Sequence, residues 1–170
     1  LPTSLNNVIY ANQMFYGCTN LTSVELKAMP ACTTYDSMFN SCRSLITLDV
    51  SMLFSYAGAM SIGSMFQSCV SLEYVKMPTT LSSGASFTGT ALFSSCYNLK
   101  TCILPNNLDA SSITQWFYQC FSLSSVTLPT SMPSLATMDF VFGSCYNLQQ
   151  ITLPTTVGTI TNISSAFASC

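Results

Sequence analysis

The sequence contains no histidine, an absence that removes Ser/His and Cys/His nucleophile pairs together with every His-based metal site. Charge is nearly as scarce. Four cations (Lys27, Arg43, Lys76, Lys100) stand against six carboxylates (Glu25, Asp36, Asp49, Glu73, Asp109, Asp139), which makes 6% of residues charged and a net charge of −2. So few scattered cations cannot neutralise a run of phosphates, so neither nucleic acid nor an anionic membrane surface is an expected partner. No Cys-x-x-Cys pair occurs, which takes away the commonest thiolate metal and redox arrangement. The uncharged stretch between Asp109 and Asp139 is no membrane span. Ser111, Ser112, Thr114, Gln115 and Gln119, followed by Pro129 and Pro133, make it too polar and too broken. No signal peptide, targeting motif or initiator Met is visible.

What remains is apolar and repetitive. At 49% hydrophobic residues in 170, the chain can bury one substantial core, so residues 1–170 are expected to form a single folded domain. The pattern Phe-x-x-Cys-x-x-Leu-x-x-apolar-x-apolar recurs throughout. Its Phe/Cys pairs are Phe15/Cys18, Phe39/Cys42, Phe66/Cys69, Phe93/Cys96, Phe117/Cys120, Phe142/Cys145 and Phe167/Cys170, with cysteines 24, 27, 27, 24, 25 and 25 residues apart. This period lies in the range of leucine-rich repeats. The longer copies carry small insertions in Ser51 to Ser61 and Thr79 to Thr88.

Ahead of each cysteine, apolar residues fall at helical spacing, as in Ile113, Trp116, Phe117 and Cys120. After it they take strand spacing, as in Leu21, Val24 and Leu26 or Leu123, Val126 and Leu128. A proline closes most strands, at Pro2, Pro78, Pro105, Pro129 and Pro154. Short polar residues at Asn20, Ser44, Ser71, Asn98, Ser122 and Asn147 are expected to bond the turn into each strand. The expected fold is an α/β repeat, a leucine-rich-repeat solenoid of about seven coils with a parallel strand-lined face and short helices opposite. Coils of about 25 residues gain stability only by stacking into one continuous core.

The unit Met14-Phe15-Tyr16-Gly17-Cys18-Thr19-Asn20-Leu21-Thr22-Ser23-Val24-Glu25-Leu26, repeated through Cys170, resembles the BspA-like leucine-rich repeats of bacterial and protozoan surface proteins. The resemblance covers essentially the whole chain. It implies a parallel solenoid and a role in adhesion or interaction at the cell surface, outside the cell. Two departures stand out. Ser51-Met52 replaces the usual proline region, and the low charge argues against a simple ionic adhesive surface.

Seven of the nine cysteines share the helix-face register beside Phe, which predicts a ladder of buried thiols; inter-coil disulfides are the alternative. Cys102 takes a core strand position. Cys32 lies outside the register and, if any thiol is exposed, is the one expected to be. Superposed strands place Glu25, Asp49 and Lys76 at one outward position, with Lys27 on the same side. Stacked carboxylates could bind a cation or act as an acid/base pair, or form only a solvated charge cluster; the cluster is preferred. The column Ser23, Thr47, Tyr74, Thr101, Ser125 and Gln150, with Thr127 and Thr152 beside it, is either an ordinary solvated sheet face or a hydrogen-bonding surface for protein or glycan. Tyr74, Lys76, Glu25 and Asp49 interrupt the regularity that ice binding would need. Sequons at Asn20-Leu21-Thr22 and Asn162-Ile163-Ser164 are expected by chance in so Ser/Thr-rich a chain.

The candidate binding face is therefore Ser23, Glu25, Thr47, Asp49, Tyr74, Lys76, Thr101, Ser125, Thr127, Gln150 and Thr152, with no catalytic residue, metal site or cofactor expected. Two functions compete: a non-enzymatic, surface-exposed adhesion or protein/glycan-binding module, and a structural protomer stacking end to end into an extracellular fibre. The second reading comes from the ends, where Leu1-Pro2 falls where a strand finishes and Cys170 just before the next would start, neither with a polar cap. A fragment of a longer array is the simpler account of those ends. No membrane insertion is expected.

Overall fold

Stacked turns and short parallel strands wind residues 5–170, those described by this computed structural model, into a solenoid. Nine strands follow in chain order: β1 (Thr47–Asp49), β2 (Ala59–Ser61), β3 (Tyr74–Lys76), β4 (Ser86–Thr88), β5 (Thr101–Ile103), β6 (Ser125–Thr127), β7 (Ser131–Met132), β8 (Gln150–Thr152) and β9 (Thr156–Val157). β1, β3, β5, β6 and β8 make one parallel sheet, in that order; β2 pairs with β4 and β7 with β9. The principal sheet thus has five strands, fewer than the seven coils expected from the motif count. Leu21, Val24 and Leu26 belong to a segment without strand structure. Prolines 78, 105, 129 and 154 each fall two residues beyond a strand of the principal sheet, where the missing N–H ends the ladder. Pro2 lies outside the described residues.

The central strand residues Leu48, Val75, Cys102 and Val126 point inward and are buried, while their neighbours face outward. Period-two alternation after each cysteine thus sets the sheet's two faces.

Opposite the sheet, the expected helices are absent: the described residues contain none. Burial follows the expected spacing, with Ile113, Trp116, Phe117 and Cys120 all fully buried, but the backbone reaches it by another route. Around Phe66, every second N–H closes a local turn: Gln67 donates to Ser64 (3.1 Å) and Cys69 to Phe66 (3.1 Å). The intervening N–H groups cross to the next coil: Phe66 donates to Leu92 (2.9 Å) and Ser68 to Ser94 (2.8 Å). Turning back and pairing forward in alternation requires left-handed corners. These recur two residues before and after each motif Phe, as at Ser64 (φ 53°) and Ser68 (φ 60°). A continuous right-handed helix cannot contain such a corner.

Two further ladders tie the coils together. The motif phenylalanines stack face to face from Phe15 to Phe167, with centroids 5.1–5.8 Å apart and ring planes within 16°. Beside them, cysteine thiols donate to the carbonyl of the Phe in the preceding coil: Cys42 to Phe15 and Cys69 to Phe39 at 3.0 Å, continuing to Cys170 and Phe142 at 3.1 Å. All nine cysteines are free. Cys42, Cys69, Cys96, Cys102, Cys120 and Cys145 are buried, and so is Cys32, contrary to expectation. Met29, Cys32 and Tyr35 recur every third residue and are fully buried, so they form an inward stripe of their own. The exposed thiols are Cys18 and Cys170.

A second parallel ladder runs through isolated bridges Tyr10–Thr34, Thr34–Ser61, Ser112–Thr137 and Thr137–Asn162. Acidic side chains staple its coils. Asp36 accepts from Ser61 Oγ and Gly63 N (both 2.7 Å), Asp109 from Ser134 Oγ (2.6 Å), and Asp139 from Asn162 Nδ2 (2.7 Å). Gly89 lies so close to Gly63 that a Cβ on it would stand 2.5 Å from the Gly63 nitrogen; only glycine permits that approach. Of the short polar residues after the cysteines, Asn98 donates to Val70 O at 2.9 Å, reaching the preceding coil rather than its own turn.

Candidate interaction surface

Outward side chains of the principal sheet form two parallel columns. Thr47 pairs with Tyr74, and Thr101 with Ser125, which pairs in turn with Gln150. Alongside them, Asp49 pairs with Lys76, Lys76 with Ile103, Ile103 with Thr127 and Thr127 with Thr152. Nine of the eleven predicted residues therefore share one sheet face. Tyr74 and Ser125 are half-buried and the other seven exposed. Ser23 and Glu25 are exposed on the strandless segment beside β1, outside the ladder.

The two half-sites differ in chemistry. Near β1 and β3 the surface carries charge in ready-made pairs. Lys76 Nζ lies 2.7 Å from Asp49 Oδ2, Lys100 Nζ lies 2.7 Å from Glu73 Oε2, and Lys27 pairs with Glu25. The hydrogen bond from Lys76, then those from Ser51, hold the Asp49 carboxyl down at about 2; Asp49 in turn holds the Lys76 ammonium above its ordinary range. Lys27 likewise lowers Glu25. Each carboxylate already has its own ammonium, so Glu25 and Asp49 are not a bare acidic pair. Among the described residues, no group of three His, Cys, Asp or Glu could hold a metal ion. From β5 to β8 the face is neutral: Thr101, Ser125, Thr127, Gln150 and Thr152 share it with Ile103, which is 61% exposed and pairs with Lys76 on one side and Thr127 on the other.

Ile103 was missed by the sequence reading, although its place two residues after Thr101 puts it in the column of Lys76 and Thr127. Glu73 and Lys100 were also missed as a pair. Their spacing of 27 residues equals the cysteine spacing of those coils, and that was the available signal. Two shallow hollows, of about 360 and 520 Å³, open where the strandless segment meets β1 and share Val24 and Asp49.

This architecture, turn-stacked coils with a parallel sheet on one side, is that of leucine-rich-repeat proteins. The sequence matches the family described as BspA type leucine rich repeat region (6 copies) over residues 1–88 and 61–170, and the chain belongs to that family. Among solved structures it is similar to the leucine-rich repeat protein TpLRR of T. pallidum, at 24% identity and a TM-score of 0.64, over 93% of this chain and 71% of that one. That likeness concerns the fold. A search of curated proteins returned no match. No helix among the described residues is long and apolar enough to cross a membrane.

Proposed function

We propose that the chain is a non-enzymatic interaction module, displayed outside the cell, that binds a protein or glycan partner through the outward face of its principal sheet. The observation that carries this reading is Ile103, a large apolar side chain held 61% exposed on a rigid strand and ringed by threonines and an ion pair. Apolar centres with polar rims are how binding surfaces are built. Membership of a repeat family that serves as a scaffold for protein contacts supports it, and so does the in-register stacking of five parallel strands. The domain reading is that residues 1–170 act as one solenoid unit.

The test is binding of purified chain to arrays of immobilised extracellular proteins and glycans, repeated with the triple variant Tyr74→Ala, Ile103→Asp, Thr127→Arg. Loss of a defined partner in the variant, with the fold intact by circular dichroism, supports the assignment. Unchanged binding moves the site elsewhere. Growth of regular filaments without any ligand would favour the stacking protomer.

A further inference from the structure

In a parallel sheet, successive residues turn their N–H and C=O groups to opposite neighbours, so an edge strand leaves every second residue unpaired. On β1, Val50 N–H donates to Lys76 O at 3.0 Å and Ile46 O accepts from Glu73 N–H at 2.8 Å. Residues of that parity are therefore committed to β3. Thr47 and Asp49 turn their backbone groups the other way, toward the segment Ser23–Ala28. That segment should supply the next ladder rung, yet among the described residues no backbone hydrogen bond joins it to β1. The coils themselves are in contact on both sides of the gap. Before it Phe15 N–H donates to Met38 O at 2.8 Å, and after it Ser61 N–H donates to Thr33 O at 2.9 Å. Between those contacts the backbone ladder is open.

The opening coincides with the two hollows. One is floored by Val24 and Leu48 and flanked by Thr47 and Tyr74; the other runs on past Glu25, Lys27 and Met52. Because they share Val24 and Asp49, they form one trough along the free edge of β1. At about 360 and 520 Å³, each falls within the size of ligand pockets, roughly 300–1,000 Å³.

We propose that this trough receives an extended peptide segment of a protein partner, which adds to the free edge of β1 as a strand. The proposal rests on the reading of this face as an interaction surface and chooses protein over glycan. A peptide backbone alone offers donors and acceptors at the strand repeat that Thr47 and Asp49 present. The apolar floor takes one side chain of the alternating pair. Thr47, Tyr74 and the Asp49–Lys76 pair give the entering strand a polar wall.

Amide hydrogen exchange followed by NMR on the whole 170-residue chain tests it in two stages. In the free protein, the Thr47 and Asp49 amides should exchange at least about tenfold faster than those of Leu48 and Val50. A blocked hexapeptide of alternating threonine and valine should then slow Thr47 and Asp49 by at least about tenfold, while an analogue N-methylated at alternate residues should not. Thr47→Pro should abolish the peptide's effect and leave the β3 amides protected, because that N–H takes no part in the β1–β3 ladder. Slow exchange of Thr47 and Asp49 in the free protein would overturn the proposal. So would equal protection by the N-methylated peptide, no protection by the unmodified one, or protection by a β-linked glucan oligosaccharide alone. Failure here leaves the array result untouched, since the trough is read from the backbone amides of β1, whereas Ile103 and Thr127 of that variant lie outside the trough's lining.

Discussion

Cys96 donates its thiol to the carbonyl of Phe66 in the preceding coil, 3.0 Å away, from a fully buried position. That carbonyl closes its own turn by accepting from Cys69 N–H, and the thiol of the next coil gives it a second donor. Burial pushes the Cys96 thiol well above its ordinary range, so it stays a neutral donor. Removing the thiol takes away one of that carbonyl's two hydrogen bonds, since Cys69 N–H still donates to it at 3.1 Å, a net loss of roughly 0.5–1.5 kcal/mol. Cys96→Ala should therefore lower stability by about that amount or slightly more, since a small cavity adds to the loss. Equilibrium urea unfolding would measure it, and a loss too small to detect would remove the hydrogen-bonding role.

Thiol accessibility separates the ladder from its ends. Under native conditions iodoacetamide should label Cys18 and Cys170, which are exposed, and spare Cys32 and the other buried thiols until the chain is unfolded. Intact-mass and peptide mass spectrometry would read the positions directly. Rapid labelling of Cys32 in folded protein would contradict the burial of the Met29–Tyr35 stripe.

The thiols also set an alkaline limit. Burial raises Cys42 to about 11 and Cys69, Cys102 and Cys145 to about 12, from an ordinary value of 9.0. A folded-state pKa above the unfolded one means that the folded state holds its protons longer. The contribution is full below pH 9 and is lost as pH rises through 11 and 12. Thermal melting should accordingly fall across that window, in reducing buffer. At the acid end the sign reverses. Asp49, held at about 2 chiefly by Lys76, contributes above the ordinary carboxylate value and loses its contribution as pH falls toward 2. In Lys76→Met, a carbon-13 NMR titration should find the Asp49 midpoint raised but still below the ordinary range, because the two hydrogen bonds from Ser51 remain.

Left-handed corners predict an unusual substitution pattern. Ser68, at φ 60°, should accept glycine with little loss or a gain of up to about 1 kcal/mol, because the side chain's steric penalty disappears. Ser68→Ile should cost more than about 1 kcal/mol, since a β-branched residue fits this region worst. Parallel melts of the two variants check the ordering. In an α-helix the order would be the opposite.

Much of the fold was legible because the repeat imposes a pattern that packing then obeys. Phe117 and Cys120 are buried where their spacing said they would be. The helix was not legible in the same way: apolar residues at three- and four-residue intervals also suit turns that alternate with inter-coil bonds. The serines at 37, 41, 64 and 68 were the available signal, since Ser is a poor helix former that favours turns. Cys32 was misplaced because the register was counted from the Phe motif alone, while a second stripe buries Met29, Cys32 and Tyr35. On the candidate face, period-two alternation located Thr101 and Ser125. It could not show that the ladder breaks between Ser23–Ala28 and β1, because that break depends on pairing between coils.

Phe66 and Phe93 are 27 residues apart in sequence and 5.1 Å apart in space, whereas Phe93 and Phe117 are 24 apart and 5.5 Å. Coil length and coil pitch are thus decoupled. The three extra residues of the longer coils fall in the stretches that lead into β2 and β4, away from the ring column. A lineage can therefore lengthen or trim those outer stretches while the exposed columns keep a constant ruling, and a partner fitted to that ruling need not be refitted each time.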